Sequence, residues 1–269
     1  MNRRSPLVRG RKPNGRVKVP PYVLPTRRGP ATMTSLMVPT RWVKFIVAIF
    51  LLPICAILTQ AFFTVFTRAT MTQRLWAGQE FWFFSLGAVL WLIAFLGLPR
   101  PVLIYVFGHE LTHAVWIWLM GGRVSHFWVG RDGGHVITNR TNFWIALAPY
   151  FFPLYSILAI AIFGALSLFY NMQLYGRLLY AIIGATWAFH LTFTCWMIPK
   201  NQADLRDHGT FFSLVVIYLM NLVLLCVMLI IASPHITFAS FGTDLVTNLG
   251  DLWQWIEDLA DKFVQGANH

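Results

Sequence analysis

One short motif in this sequence has the residue types and the spacing of a metal site. His109, Glu110 and His113 form the pattern His-Glu-x-x-His. On a helix, residues four positions apart lie one turn apart on the same face, so both imidazoles can reach one metal ion. The glutamate between them is placed to accept a proton from a water molecule. The spacing predicts a zinc site with His109 and His113 as ligands and Glu110 as general base.

The motif lies inside an apolar stretch, residues 102–120. A stretch of this length and composition can cross a lipid bilayer as a helix. Ionisable residues inside the hydrocarbon are costly unless they pair or bind an ion, so a cluster of three indicates a function. The alternative is a chance match, in which the histidines hydrogen-bond to neighbouring helices.

The composition is that of a polytopic membrane protein. Apolar residues make up 57% of the chain and charged residues only 12%, whereas a soluble domain is usually about 25% charged. Cys55, Cys195 and Cys226 each lie in an apolar stretch. They offer neither a disulfide framework nor a Cys-x-x-Cys zinc site, which excludes the small disulfide-rich and zinc-finger classes.

Positive charge is concentrated near the N-terminus. The chain has a formal net charge of +11, and residues 1–44 contain many Lys and Arg but no Asp or Glu. We interpret residues 1–40 as a basic, disordered tail. Basic residues ahead of a first membrane helix remain in the cytoplasm and attract anionic lipid. A nucleic-acid-binding arm is the weaker interpretation, so no nucleic-acid partner is expected.

The remaining chain is predicted to be an all-α polytopic membrane protein. We expect about six transmembrane helices within residues 41–233 and an amphipathic interfacial helix within residues 234–269. Pro149 and Pro153 are expected to break the long fourth apolar stretch into an entering piece and a crossing helix. The predicted spans are 45–66, 81–98, 102–120, 143–170, 178–198 and 211–232.

A short β-hairpin is predicted directly after the metal-binding helix. The β-prone segments 124–129 and 135–138 flank Arg-Asp-Gly-Gly, which is a strong turn signal. A hairpin at this position can lie against the metal site and guide an extended substrate strand. An ordinary interfacial loop is the alternative.

The third zinc ligand is sought among the acidic residues that follow the motif, because a catalytic zinc ion usually takes three protein ligands. Asp132 lies in the predicted turn, and the last five acidic residues lie in or near the terminal helix. Asp204 and Asp207 remain, and we favour Asp204. His190, on a neighbouring predicted span, is the other candidate. The alternatives for it are a zinc ligand, a hydrogen-bonding partner of a reaction intermediate, or an ordinary packing residue among the helices.

From about residue 103 to residue 209 the sequence resembles the site-2 protease family of intramembrane zinc metalloproteases. The resemblance rests on Gly-His-Glu-Leu-Thr-His-Ala at 108–114, Gly-Gly-Arg-Val at 121–124, the hairpin that follows, and Ala-Leu-Ala-Pro-Tyr at 146–150. It implies a three-helix core, zinc held by His109, His113 and a later aspartate, and Glu110 as the base. The aspartate of the family stands in a Leu-Asp-Gly setting. Here Asn-Gln-Ala precedes Asp204 and no glycine follows it, which marks a divergent member.

The sequence therefore predicts a zinc metallopeptidase that hydrolyses peptide bonds in or near the transmembrane segments of membrane proteins. The alternative is a non-hydrolytic metal-binding membrane protein, either a transporter or a degenerate protease that acts as a binding partner. The expected cofactor is Zn²⁺, and the expected partners are a membrane-protein substrate and the lipid bilayer. We expect an integral multi-pass protein of the cell inner membrane with its N-terminus in the cytoplasm.

Overall fold

The computed structural model describes residues 40–71, 75–200, 202–233 and 236–266, with side chains except for part of the last helix. Within these ranges the chain is mostly α-helical and contains one two-stranded sheet. The predicted basic tail lies outside the described residues, apart from Thr40, which begins the first helix.

The helices follow the apolar stretches of the sequence, since a backbone with no access to water satisfies its polar groups by forming its own helical hydrogen bonds. Short 3₁₀ turns connect some of them, at Leu75–Ala77, Gln173–Tyr175 and Ile198–Lys200. The helices are α1 (Thr40–Met71), α2 (Gln79–Gly97), α3 (Val102–Leu119), α4 (Phe143–Phe151), α5 (Leu154–Ser167), α6 (Gly176–Met197), α7 (Ala203–Asp207), α8 (Thr210–Ala232) and α9 (Phe238–Gly266).

Several of these helices have the length and composition of membrane spans. Among the described residues, α1, α2, α3, α8 and the segment Gln173–Lys200 that contains α6 are long and apolar enough to cross a membrane. The pair α4 and α5 makes a sixth if it is counted as one bent span. The prediction of a mostly helical chain with about six apolar helices of membrane-spanning length is therefore confirmed, with five or six candidate spans among the described residues.

The fourth apolar stretch is broken at Pro153 as predicted, whereas the predicted break at Pro149 is wrong because this proline lies inside α4. The axes of α4 and α5 differ by 75°, and the break falls at Phe152 and Pro153, immediately after α4. Asn142 caps α4 by accepting a hydrogen bond from the backbone N–H of Ile145 at 2.9 Å. The short helix lies in the centre of the protein, where Leu147 and Tyr150 are fully buried.

The predicted hairpin forms after α3. Strand β1 (Val124–Gly130) pairs antiparallel with β2 (Gly133–Thr138), with Gly130 opposite Gly133 at the turn. Gly133 has a φ of 138°, a conformation that L side chains rarely adopt and glycine adopts readily. Both strands pack against α3, so the hairpin folds back along the helix that carries the motif.

Helices α2 and α6 approach each other closely. A Cβ atom on Gly87 of α2 would overlap the backbone carbonyl of Ala181, and one on Gly184 of α6 would overlap the carbonyl of Phe84. Glycine at both positions allows the two backbones to touch, a common way for membrane helices to pack. This contact fixes the C-terminal end of α6 relative to that of α2.

The C-terminal segment forms the predicted helix, α9, which begins at Phe238. Its first half packs on α1 and α8, where Phe241 joins a buried cluster with Val65 and Leu229. An ion pair between Arg68 of α1 and Asp244 adds to this contact. Further along, Trp253 is exposed, and its indole N–H donates to the Glu257 carboxylate at 2.7 Å.

Candidate metal centre

Helix α3 brings the two motif histidines together. The Nε2 atoms of His109 and His113 lie 3.2 Å apart, and their rings meet nearly edge to face at an angle of 81°. Both side chains are largely buried, with exposures of 9% and 12%. The two imidazoles therefore point one nitrogen each at a common point beside the helix.

Asp204 reaches that point from α7, 95 residues further along the chain. Its Oδ2 atom lies 3.3 Å from His109 Nε2 and 3.6 Å from His113 Nε2. The next residue, Leu205, anchors the short helix because its side chain is buried and its carbonyl accepts a hydrogen bond from the Ser213 hydroxyl of α8 at 3.1 Å. The structure thus brings together the two motif histidines and the favoured aspartate.

The three ligand atoms fit a tetrahedral zinc ion. Zinc binds imidazole nitrogen and carboxylate oxygen at about 2.0–2.1 Å, so two ligands of a tetrahedral site lie roughly 3.3 Å apart. The three separations here are 3.2, 3.3 and 3.6 Å. Two nitrogen ligands and one oxygen ligand leave a fourth position for water or substrate, the arrangement of catalytic rather than structural zinc sites.

The other ring nitrogen of each imidazole, Nδ1, which is here called the outer nitrogen, also has a partner. His113 Nδ1 lies 2.8 Å from the Ile145 carbonyl of α4. Because a carbonyl only accepts, Nδ1 carries the proton, and the neutral ring presents a lone pair at Nε2. His109 Nδ1 lies 3.2 Å from the Tyr105 hydroxyl. Metal-binding histidines usually have such outer partners, which fix the tautomer and the ring orientation.

Pro149 explains why the Ile145 carbonyl is free to bind a side chain. In a regular helix this carbonyl would accept a hydrogen bond from the backbone N–H four residues later. Residue 149 is a proline inside α4 and has no N–H. The carbonyl is therefore left without a helical donor, and His113 takes that place.

Asp204 carries the negative charge of the group. Burial raises the pKa of its carboxyl, but the contacts with His109 and His113 outweigh burial and hold the pKa below the usual range. Tyr150 adds a hydroxyl that donates to Oδ2 at 3.3 Å. Asp204 is therefore ionised at neutral pH, the state in which a carboxylate binds metal.

Glu110 lies next to this group and is covered by the hairpin. It is 7% exposed. Gly134 of β2 lies directly against it, because a Cβ atom at that position would contact Glu110 Cγ and lie 2.9 Å from Oε1. Only glycine leaves room for the carboxyl group there. The one buried glutamate of α3 thus sits between the candidate ligands and the strand.

Asp207, the other candidate aspartate, and its neighbour His208 lie outside the three-residue group. Asp207 is exposed. His208 is bound by Lys44, whose Nζ lies 2.7 Å from Nδ1, and burial and the Lys44 charge lower the pKa of His208. Among the described residues, the group that could hold a metal ion therefore contains Asp204 and not Asp207.

His190 lies on α6 beside the site rather than in it. It lines a cavity of about 20 Å³ together with His109, Tyr105 and Tyr155, which is room for about one water molecule. Its Nε2 atom is buried and makes no hydrogen bond to the residues that the structure describes. The predicted role as a ligand is not supported by this position, whereas a role in hydrogen-bonding an intermediate stays a prediction.

The sequence interpretation missed four contributors to the site: Tyr105, Tyr150, Gly134 and the carbonyl of Ile145. Tyr105 could have been found, because it lies four residues before His109 on the same helical face. Tyr150 directly follows Pro149 and Ile145 lies one helical turn before it, but the sequence interpretation treats Pro149 only as a helix breaker. Gly134 was read only as a turn residue. No local pattern in the sequence places it against Glu110.

Comparisons with known proteins add no relative to this description. No protein-family model, no curated protein and no solved structure matches the chain.

Proposed function

We propose that the protein is an intramembrane zinc metallopeptidase that hydrolyses peptide bonds in or near transmembrane segments of other membrane proteins. The observation that carries the proposal is the geometry of His109, His113 and Asp204, with the buried Glu110 beside them on a helix long enough to cross a membrane. Metal binding alone needs only the three ligands. Hydrolysis also needs a base next to the ligands, and Glu110 has that position.

His109, His113 and Asp204 would hold the zinc ion. The chemistry that zinc supplies when bound is the activation of water and the polarisation of a peptide carbonyl. Glu110 accepts a proton from the attacking water as the water oxygen bonds to the carbonyl carbon. The Glu110 carboxyl then gives this proton to the amide nitrogen as the C–N bond breaks, so that the products are a carboxylic acid and an amine.

The hairpin supplies a place for the substrate. A peptide in a transmembrane helix hides its carbonyls, so the substrate has to be extended at the bond that is cut. Strands β1 and β2 pair only with each other among the described residues, and each has a free edge. Because β2 lies against Glu110 through Gly134, an extended peptide added to the hairpin runs next to the base.

The proposed membrane topology follows from the helices that are long and apolar enough to cross the membrane. Lys44 at the start of α1 lies 2.7 Å from His208 of the α6–α8 connection, so these two segments share one side of the membrane. Five crossings, with α4 and α5 as a re-entrant pair, satisfy this requirement, whereas a sixth crossing would put the two segments on opposite sides. The basic residues of 1–44 assign the shared side to the cytoplasm, and we propose the cell inner membrane as the location. The α6–α8 connection that carries Asp204 and the N-terminal end of α1 then lie on the cytoplasmic side.

The first test is Glu110→Gln. Purified protein is reconstituted in liposomes with a panel of single-span membrane proteins that carry a tag at each end. Wild type is expected to produce tagged fragments, and Glu110→Gln is expected to lower their yield at least about 100-fold, since general base catalysis contributes about that much. Zinc measured by elemental analysis stays near one ion per chain in both proteins, because glutamine at 110 removes no ligand.

The matched control is Glu80→Gln, at an exposed glutamate in the first turn of α2. It removes the same charge far from the ligands and is expected to leave cleavage unchanged. Fragments from Glu110→Gln at the wild-type rate would rule out Glu110 as the base. One bound zinc ion without fragments from any panel member, together with zinc flux into the liposomes, would support the transporter alternative.

A further inference from the structure

Two positive charges meet on one tryptophan at the end of the bundle that carries Asp204. The Arg100 guanidinium carbon lies 5.0 Å from the centre of the Trp196 ring, and Lys200 Nζ lies 2.9 Å from the same centre. Arg100 also lies 4.8 Å from the centre of the Phe95 ring. Cation–π attraction to these rings holds both cations in place.

Neither cation has an acidic partner. All ten Asp and Glu residues of the chain lie within the described ranges, and the ion pairs found there join Arg68 to Asp244 and the two motif histidines to Asp204. Both cations lie on the same Trp196 ring, so their like charges repel each other. A bound anion would replace this repulsion with two attractions.

The two cations sit on a rigid base. Arg100 lies between Pro99 and Pro101 in the short link from α2 to α3, and proline restricts the backbone on both sides of it. Trp196 packs in a buried aromatic cluster on Phe193, with ring centres 5.6 Å apart. The close contact of α2 with α6 fixes the position of Arg100, which follows α2, relative to Lys200, which follows α6. Arg100 and Lys200 are therefore held in position before any ligand binds.

We propose that Arg100 and Lys200 form a binding site for the phosphate group of an anionic lipid. The guanidinium matches two phosphate oxygens with parallel hydrogen bonds, and the ammonium adds a point charge. The site lies where α2 and the α6 segment end and α3 begins. We place these ends of the candidate spans at the level of lipid headgroups, which basic pockets between membrane helices bind. The proposal does not depend on the peptidase activity.

The test is lipid retention by the full chain. Detergent-purified protein is titrated with phosphatidylglycerol, and with phosphatidylcholine as the neutral comparison, and native mass spectrometry measures the lipid-bound fraction. Wild type is expected to bind phosphatidylglycerol more tightly. Arg100→Gln and Lys200→Gln are each expected to weaken this binding about fivefold, since one basic residue near a lipid headgroup contributes roughly that much. Lys200→Arg keeps the charge and is expected to keep the binding.

Arg177→Gln is the matched control. Arg177 lies near the opposite end of α6, with its guanidinium carbon 5.9 Å from the Phe83 ring centre, so it is also a cation beside an aromatic ring. This variant is expected to bind phosphatidylglycerol like wild type. Thermal unfolding followed by circular dichroism checks that each variant is folded, and Lys200→Gln changes only an exposed side chain.

Three results would overturn the proposal. Phosphatidylglycerol binding by both Arg100→Gln and Lys200→Gln at the wild-type level would show that these residues hold no lipid. Equal weakening by Arg177→Gln would show only a general effect of net charge. Displacement of the bound lipid by millimolar inorganic phosphate would show that the site takes a free phosphate rather than a lipid headgroup.

Discussion

Two pairs of histidines in this protein have nearly the same separation but differ in burial and in the relative orientation of their rings. The ring centres of His109 and His113 on α3 are 4.9 Å apart, and those of His126 and His135 on the hairpin are 5.3 Å apart. The helix pair is buried and its rings are nearly perpendicular. The hairpin pair is exposed and its rings are nearly parallel, at 8°.

The difference lies in what surrounds each pair. On α3 the outer nitrogen of each imidazole has a partner, Tyr105 or the Ile145 carbonyl, and Asp204 supplies a third ligand atom. Among the described residues, the hairpin pair belongs to no such group, and His135 instead stacks on Trp128. Closeness of two histidines is therefore a weak indication of a metal site. Orientation by outer partners and a converging third ligand are the stronger indications.

The largest expected effect comes from removing each histidine pair in turn. His109→Ala with His113→Ala is expected to abolish zinc binding, because two of three ligands are lost. His126→Ala with His135→Ala is expected to keep about one zinc ion per chain, the content of a catalytic site of this type. Elemental analysis of detergent-purified protein measures both. Equal loss of zinc from the hairpin variant would show that His126 and His135 also take part in metal binding. The assignment of the metal to the α3 pair alone would then be wrong.

The next effect separates the two aspartates of α7. Asp204→Asn removes a direct ligand and is expected to weaken zinc binding by more than the roughly 100-fold that loss of an outer partner can cost. Asp207→Asn, three residues away on an exposed side chain, is expected to leave the affinity unchanged. Competition with a zinc chelator of known affinity gives both values. The reverse order would move the third ligand to Asp207.

The smallest effect concerns the outer partner of His109. Tyr105→Phe removes the hydroxyl 3.2 Å from Nδ1 and is expected to weaken zinc binding about tenfold, since the ring loses an orienting contact. Tyr155→Phe is the control, because its hydroxyl donates to the Ile104 carbonyl at 2.6 Å rather than to a candidate ligand. Chelator competition with both variants measures the difference. Identical affinities would show that the helix alone orients His109.

The sequence was sufficient for features that depend on local pattern. The apolar stretches predicted the long helices, Arg-Asp-Gly-Gly predicted the turn between β1 and β2, and Pro153 lies at the predicted break between α4 and α5. The motif on α3 placed two imidazoles on one face because helical spacing is fixed by the backbone. Each of these predictions needs only residues that are neighbours in the chain.

Features that depend on how segments meet could not be predicted in the same way. Asp204 and Asp207 differ little in sequence setting, and only the packing of Leu205 turns one of them toward the histidines. The contact of Gly134 with Glu110 depends on how the hairpin folds back on α3. Arg100 and Lys200 are far apart in sequence, and Trp196 brings them together only after α2 and α6 have packed.

The proline in α4 has a consequence for how the protein assembles. The acceptor that orients His113 belongs to a helix that follows the hairpin, and the third ligand atom comes 95 residues after His109. A chain in which α4 has not yet docked offers only a loosely held pair of imidazoles, which binds zinc weakly. Under the proposed function, tight zinc capture is therefore expected late in folding. Zinc bound there is expected to stabilise the completed bundle over partly assembled forms, so we expect zinc depletion to leave more chains that have entered the membrane but have not finished packing.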